Sequence, residues 1–255
     1  MSRISFDFAG ENFVVVGASS GMGRQIALEL AQAGAVVLAV ARRENCLQEL
    51  QQVCPDQIET ACLDVIAGKA EDWSRILGEF VSKHGKLHGA VYTAGITGMT
   101  PLRSFDEGLA HKIVDTSFWG MVDFLQTVTK KKFTAPEASF VLFSSAAAYI
   151  GNKGQFAYSG AKAAVQTAVR SFAKEFALQK YRFNSISPGW VESEMTDRFK
   201  QDNDGMAQSV IDSYILGLGK PEKVSSVALF LLSIGAGWIT GTDVVVDGGC
   251  LLSKD

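Results

Sequence analysis

In the run Tyr158-Ser159-Gly160-Ala161-Lys162 a phenol and an ammonium stand four residues apart, a spacing that puts both on one face of a helix. A phenol titrates at about 10 in water, and a cation beside it favours the phenolate, so the pair predicts a tyrosine moved down toward working pH as an acid or base. A surface pair would have the same spacing, and the distinction rests on the company the two keep. Ser144-Ser145 closes an apolar run just ahead of this helix, which brings hydroxyls to the same edge.

A second group of residues suits a large anion. Gly17-Ala18-Ser19-Ser20-Gly21-Met22-Gly23 follows the apolar run 13–16 and leads into a helical pattern. Glycines there allow a tight turn and let backbone N–H groups approach a pyrophosphate at the positive end of a helix. A plain strand-to-helix connection reads the same way, but the position after the first strand of a βαβ unit favours a dinucleotide. A cofactor ending in a bare ribose calls for a carboxylate about 20 residues beyond the glycines. The chain has Val40-Ala41-Arg42-Arg43 instead. An arginine fork suits a 2′-phosphate, so Arg42, with Arg43 as helper, predicts NADP(H); the plain alternative is two solvated arginines opening a surface helix. Asp64 can accept from an adenine amino group while Val65 packs on the ring, or Asp64 simply ends a strand.

The elements that must hold these groups alternate along the chain. Apolar, β-branched runs at 13–16, 36–41, 58–63, 87–93, 139–145, 182–187 and 244–246 predict strands. Helical patterns at 21–33, 45–53, 68–84, a pair over 104–132, and 155–180 fall between them. Near-continuous apolar strands joined by right-handed crossovers make an α/β fold: a doubly wound parallel sheet of Rossmann type with helices on both faces, as a single domain over 1–255. The stretch 190–219 is polar and glycine-interrupted, which predicts a mobile substrate lid.

With 255 residues, 47% of them hydrophobic, one large core is affordable, and a net charge of −3 gives no basic field for nucleic acid or an anionic membrane. Cys46, Cys54, Cys62 and Cys250 lack metal-ligand spacing and the density of a stapled secreted scaffold. The amino terminus carries no signal-peptide stretch and no apolar run approaches a membrane span, so a soluble cytoplasmic protein is expected. His84, His88 and His111 are scattered, which predicts surface or satisfied histidines and no metal. Trp119, Trp190 and Trp238 read as core residues, with Trp190 a candidate pocket wall.

Taken together, GASSGMG, YSGAK after SFVLFSSAAA, NSISPGWVESEMT and ITGTDVVVDGG, in that order from about residue 13 to 250, resemble the short-chain dehydrogenase/reductase family. The resemblance implies that Tyr158 exchanges a proton with the substrate oxygen, that Lys162 holds the nicotinamide ribose and lowers the tyrosine pKa, and that Ser145 bonds the reacting carbonyl. Ser145 fits better than Ser144 because it lies thirteen residues before Tyr158, the family spacing. The resemblance also implies cofactor contacts from Gly17, Ser19, Ser20, Gly21, Met22, Gly23, Ala94 and Gly95, and from Pro188, Gly189, Val191 and Ser193 around the nicotinamide. Ala41 followed by Arg42 is similar to the NADP-preferring pattern.

The chain departs from that pattern at several positions. The family's Asn that anchors a water in the relay to the lysine is Ser117 here, either a less direct substitute or a changed relay. Tyr92-Thr93-Ala94-Gly95 replaces NNAG and Val16 replaces the usual Thr, which predicts a repacked floor under the adenosine. The leading expectation is an NADP(H)-dependent ketoreductase similar to 3-oxoacyl-carrier-protein reductases. Alternatives are a dehydrogenase of a sugar, steroid or other small secondary alcohol, and a catalytically weak dinucleotide-binding regulator. A homotetramer is implied, with helices near 108–132 and 155–180 in contact and Ala161, Ala164 and Ala168 allowing close approach. Lys130-Lys131-Lys132, helped by Lys180, could steer an acidic carrier protein toward Tyr158, or simply complement a helix end.

Overall fold

Seven apolar runs become the strands of one parallel sheet: β1 (Asn12–Val16), β2 (Val36–Ala41), β3 (Ile58–Cys62), β4 (Leu87–Tyr92), β5 (Thr134–Phe143), β6 (Arg182–Pro188) and β7 (Asp243–Val246). The structure is a computed structural model and describes residues 5–193, 196–197, 211–212 and 214–252. The strand order is β3-β2-β1-β4-β5-β6-β7, and every pairing is parallel. The winding reverses between β1 and β4, so a crevice opens at their carboxyl ends, where ligands of such sheets sit. All five residues of β1 are buried, as a strand covered on both faces requires.

The helices are α1 (Gly21–Gln32), α2 (Glu44–Val53), α3 (Ala70–His84), α4 (Glu107–Val114), α5 (Gly120–Val128), α6 (Ala147–Ile150), α7 (Phe156–Glu175) and α8 (Pro221–Leu232). On one sheet face Ile26 and Leu30 of α1 and Leu229 and Leu232 of α8 pack with Phe13 and Val15. On the other, Trp73, Leu77 and Phe124 pack with Tyr92, Phe140 and Val165. Burial of each such side chain contributes roughly 1.5–3 kcal/mol, which is why these stripes face the sheet.

The structure departs from the sequence expectations in identifiable ways. The helical pair over 104–132 is one continuous rod, because α4 passes into α5 through a π-helical turn, Asp115–Trp119. The helix expected over 155–180, α7, ends at Glu175, and β5 stops at Phe143, leaving Ser144 and Ser145 just beyond the strand. α8 is an element that the apolar run 227–232 does not distinguish from a strand; Pro221 at its first turn marks it as a helix. Trp119 and Trp238, expected in the core, are 54% and 100% exposed. Most of the expected lid, 190–219, lies outside the described residues. Its two ends meet, since Val191 and Gly219 form a parallel bridge and the Trp190 N–H donates to the Tyr214 hydroxyl at 2.8 Å.

Candidate active site

Ser145 and Tyr158 meet at the carboxyl end of β5. The chain leaves the strand after Phe143, and Ser145 Oγ accepts from Ala147 N–H at 3.2 Å as α6 begins. Tyr158 lies one turn into α7, and its hydroxyl is hydrogen-bonded to Ser145. Lys162, one turn further, is buried; its Nζ donates to the Phe143 carbonyl at 2.9 Å and stands 5.8 Å from the centre of the Tyr158 ring. Ser144, the other candidate, instead donates its hydroxyl to the Lys162 carbonyl at 2.8 Å, pinning α7 to β5.

The electrostatics correct one expectation. Burial pushes the Tyr158 phenol above its ordinary value and the Ser145 bond only partly opposes this, whereas the cation was expected to bring it down. The reason is geometric: Nζ lies over the ring rather than at the hydroxyl. Burial pulls Lys162 down to about 8, because a desolvated ammonium is costly. A protonated phenol beside a serine hydroxyl can present two donors to one carbonyl oxygen.

Ser117 joins this group from the π-helical turn. It is 1% exposed, and its Oγ has no hydrogen-bond partner among the described residues. A Cβ built on Gly95 would stand 3.2 Å from Lys162 Nζ and 3.5 Å from Ser117 Oγ, so both polar atoms converge on one point above that glycine. A water there could join them.

The glycine turn occupies the crevice between β1 and β4. Gly17 has φ +91°, and a Cβ there would come within 2.5 Å of Thr93 Oγ1, so the close approach of β4 excludes any larger residue. Gly23 is packed against the Gly17 carbonyl in the same way. Thr93 donates both its N–H (2.8 Å) and its hydroxyl (2.9 Å) to the Val16 carbonyl. The floor therefore keeps a tie between β1 and β4 although neither family residue is present. The first turn of α1 has no acidic residue, and Ser20 makes no side-chain cap. Its N–H groups are thus available to an anion, and Gly21 faces Ser193 across the cleft, with 3.6 Å between the Ser193 Cβ and a Cβ built on Gly21. These features fit a dinucleotide pyrophosphate with Ala94 and Gly95 opposite.

The two arginines exchange emphasis. Arg43 lies over the glycine turn, donating to Ser19 Oγ at 3.2 and 3.3 Å and to Ser20 Oγ at 2.6 Å. Arg42 reaches Asp64 at 3.5 Å, with both side chains partly exposed. Val65 is buried among core residues beside Gly120.

Beyond these groups lies a cavity of about 440 Å³ whose walls include Met99, Ile150, Gln155, Trp190, Val191 and Tyr214, with Ser145, Tyr158, Pro188, Gly189 and Ser193 at its head. Trp190 is the pocket wall the sequence suggested. Gln155, three residues before Tyr158, has a helical-spacing signal that could have found it. Met99, Tyr214 and Cys250 carry no local motif and reach the cavity only through the fold.

Other candidates lie elsewhere. His84 pairs with Glu59 at 2.8 Å, His88 Nδ1 accepts from Asn12 N–H at 3.0 Å, and His111 is exposed. All four cysteines are free thiols. Lys130, Lys131 and Lys132 lie between α5 and β5, at the opposite end of β5 from Ser145. Ten residues of strand at about 3.3 Å each put them roughly 30 Å away. A carrier docked on them would therefore need an arm of about that length to reach Tyr158, and Lys180, their expected helper, is paired with Glu137 at 2.9 Å.

The pattern that defines the family described as Enoyl-(Acyl carrier protein) reductase matches residues 17–250. The 3-oxoacyl-[acyl-carrier-protein] reductase of Thermotoga maritima is 30% identical over 95% of this chain and 98% of its own. The enzyme of the same name from Rickettsia conorii is 30% identical over 96% of this chain and 99% of its own. Among solved structures, a short-chain dehydrogenase/reductase described as a glucose/ribitol dehydrogenase from Brucella melitensis superposes with TM-score 0.89 at 26% identity, covering 97% of this chain and 99% of that one.

Proposed function

The chain belongs to the short-chain dehydrogenase/reductase family of oxidoreductases, and on that premise we propose that it is an NADP(H)-dependent reductase of ketones, with a 3-oxoacyl thioester as the best-fitting substrate class. The observation that carries this reading is the Ser145–Tyr158 hydroxyl pair at the head of a largely apolar cavity, with buried Lys162 behind it.

The cofactor, when bound, supplies the hydride at its nicotinamide. Gly17 to Gly23 and the open end of α1 hold the pyrophosphate, Pro188, Gly189, Val191 and Ser193 hold the nicotinamide, and Ala94 and Gly95 close the opposite wall. Arg42 and Arg43 take the 2′-phosphate, which supports NADP(H) over NAD(H): an exposed ion pair such as Arg42–Asp64 is worth at most about 1 kcal/mol and is readily given up. Ser145 orients the substrate oxygen, and Tyr158 delivers a proton to that oxygen as its negative charge develops. The protonated phenol, which burial favours, is the form that can give a proton to the oxygen in reduction. Lys162 positions the cofactor ribose and, with Ser117, returns a proton to Tyr158 through the space above Gly95.

A sugar dehydrogenase, the activity named for the Brucella structure, suits this cavity less well. Met99, Ile150, Val191, Trp190 and Tyr214 offer good contact to an acyl chain, while Asn152, Lys153, Gln155 and Thr196 are the polar side chains a polyol would have to use. The reading includes a cytoplasmic homotetramer, supported by the four free thiols and by exposed apolar side chains such as Trp119 and Phe156 near α4, α5 and α7. Among the described residues no helix is long and apolar enough to cross a membrane. The test is NADPH oxidation by the purified chain against 3-oxoacyl thioesters, keto-sugars and keto-steroids. Rapid oxidation with the thioesters supports the reading, oxidation with keto-sugars alone replaces the substrate, and none with any ketone refutes it.

A further inference from the structure

Tyr92 ends β4 with its side chain buried in the core, and its hydroxyl donates to the Thr116 carbonyl at 2.7 Å. Thr116 belongs to the π-helical turn, in which Gly120 N–H bonds to the Asp115 carbonyl. In an α-helix that N–H would serve the Thr116 carbonyl, so the phenol supplies a bond that the turn itself has given up. The approach is tight: a Cβ on Gly120 would meet the Tyr92 hydroxyl at 2.9 Å. The residue after Thr116 is Ser117, whose unpartnered hydroxyl shares the point above Gly95 with Lys162 Nζ.

We propose that Tyr92 is a positioning residue, whose hydroxyl holds the π-helical turn open and so aims Ser117 at Lys162. The inference rests on the reductase reading for its catalytic half. A single extra residue per turn rotates every side chain that follows, so collapse of the turn to α-helix would swing Ser117 away from the lysine. Tyr92 is not among the residues lining the cavity; it acts through the helix.

The test uses Tyr92→Phe, which keeps the ring and its core packing and removes only the hydroxyl. Backbone amides of 115–121 are expected to exchange with deuterium about tenfold faster, the effect of losing one buried hydrogen bond. Gly120→Ala, which drives a methyl into the hydroxyl, is expected to reproduce this. In turnover, Tyr92→Phe should be at least about twofold slower than wild type at unchanged NADPH KM, and no slower than Ser117→Ala, itself less than about tenfold down. The double variant should match Ser117→Ala alone. Unchanged exchange would overturn the proposal, as would independent, multiplying losses in the double variant, because Tyr92 would then not act through Ser117. Were wild type to reduce no ketone at all, the reductase reading would fall, while the exchange rates would still decide whether Tyr92 holds the turn.

Discussion

Arg42→Ala separates the two coenzymes. The Arg42 guanidinium is half exposed and its contact with Asp64 is a single one at 3.5 Å, so little is lost from the unliganded protein when it is removed. With NADPH bound as proposed, the same change would remove a charged hydrogen-bond partner of the 2′-phosphate, at a cost of about 1.5–3 kcal/mol. At 1.4 kcal/mol per factor of ten, the NADPH KM should rise roughly 10- to 150-fold. NADH, which lacks the phosphate, should change less than about twofold, within the small worth of an exposed ion pair. Arg43→Ala makes a useful contrast. Arg43 also clamps Ser19 and Ser20, so its loss loosens the pyrophosphate turn and should raise both KM values. Initial rates with each coenzyme, at saturating ketone, measure both effects. An unchanged ratio of the NADPH and NADH KM values in Arg42→Ala and in Arg43→Ala would refute the assignment of the 2′-phosphate to this pair.

Three further outcomes follow from the same structure. Lys162 is held down to about 8 by burial, and the proposed proton relay needs it charged, so turnover in the reductive direction should be level on the acid side and fall as pH rises through about 8. A profile with no basic limb before about 10 would show that Lys162 is not the titrating group. Below about 8 the buried ammonium costs the fold roughly 3 kcal/mol, a penalty that fades as pH climbs toward its ordinary value of 10.5, so Lys162→Met should raise Tm at neutral pH and lose that gain in alkali, with turnover gone at both. Light scattering at micromolar concentration should report four chains, and a monomer would contradict the assembly.

Much of the site was legible because short, local rules determine it. The glycine turn, the Tyr158/Lys162 spacing and Ser145 are each fixed by one strand end or one helix turn, and the sheet brings those ends to one edge. Long-range packing was not legible. That Thr93 re-ties the floor to the Val16 carbonyl depends on the spacing of β1 and β4, and that Tyr92 bonds Thr116 depends on where a distant helix runs. The raised Tyr158 pKa escaped for a related reason: helical spacing put Lys162 on the right face but could not show it over the ring with its ammonium turned to the Phe143 carbonyl. The position of Lys130 to Lys132 at the far end of β5 likewise follows only from the strand's direction.

The most direct test of the central claim is Tyr158→Phe, which keeps the ring and deletes the proposed proton donor. NADPH binding, followed by its fluorescence, should be unchanged, while ketone reduction falls by about 10²- to 10⁴-fold, the usual worth of a general acid. A variant that reduces ketones at the wild-type rate would contradict the account.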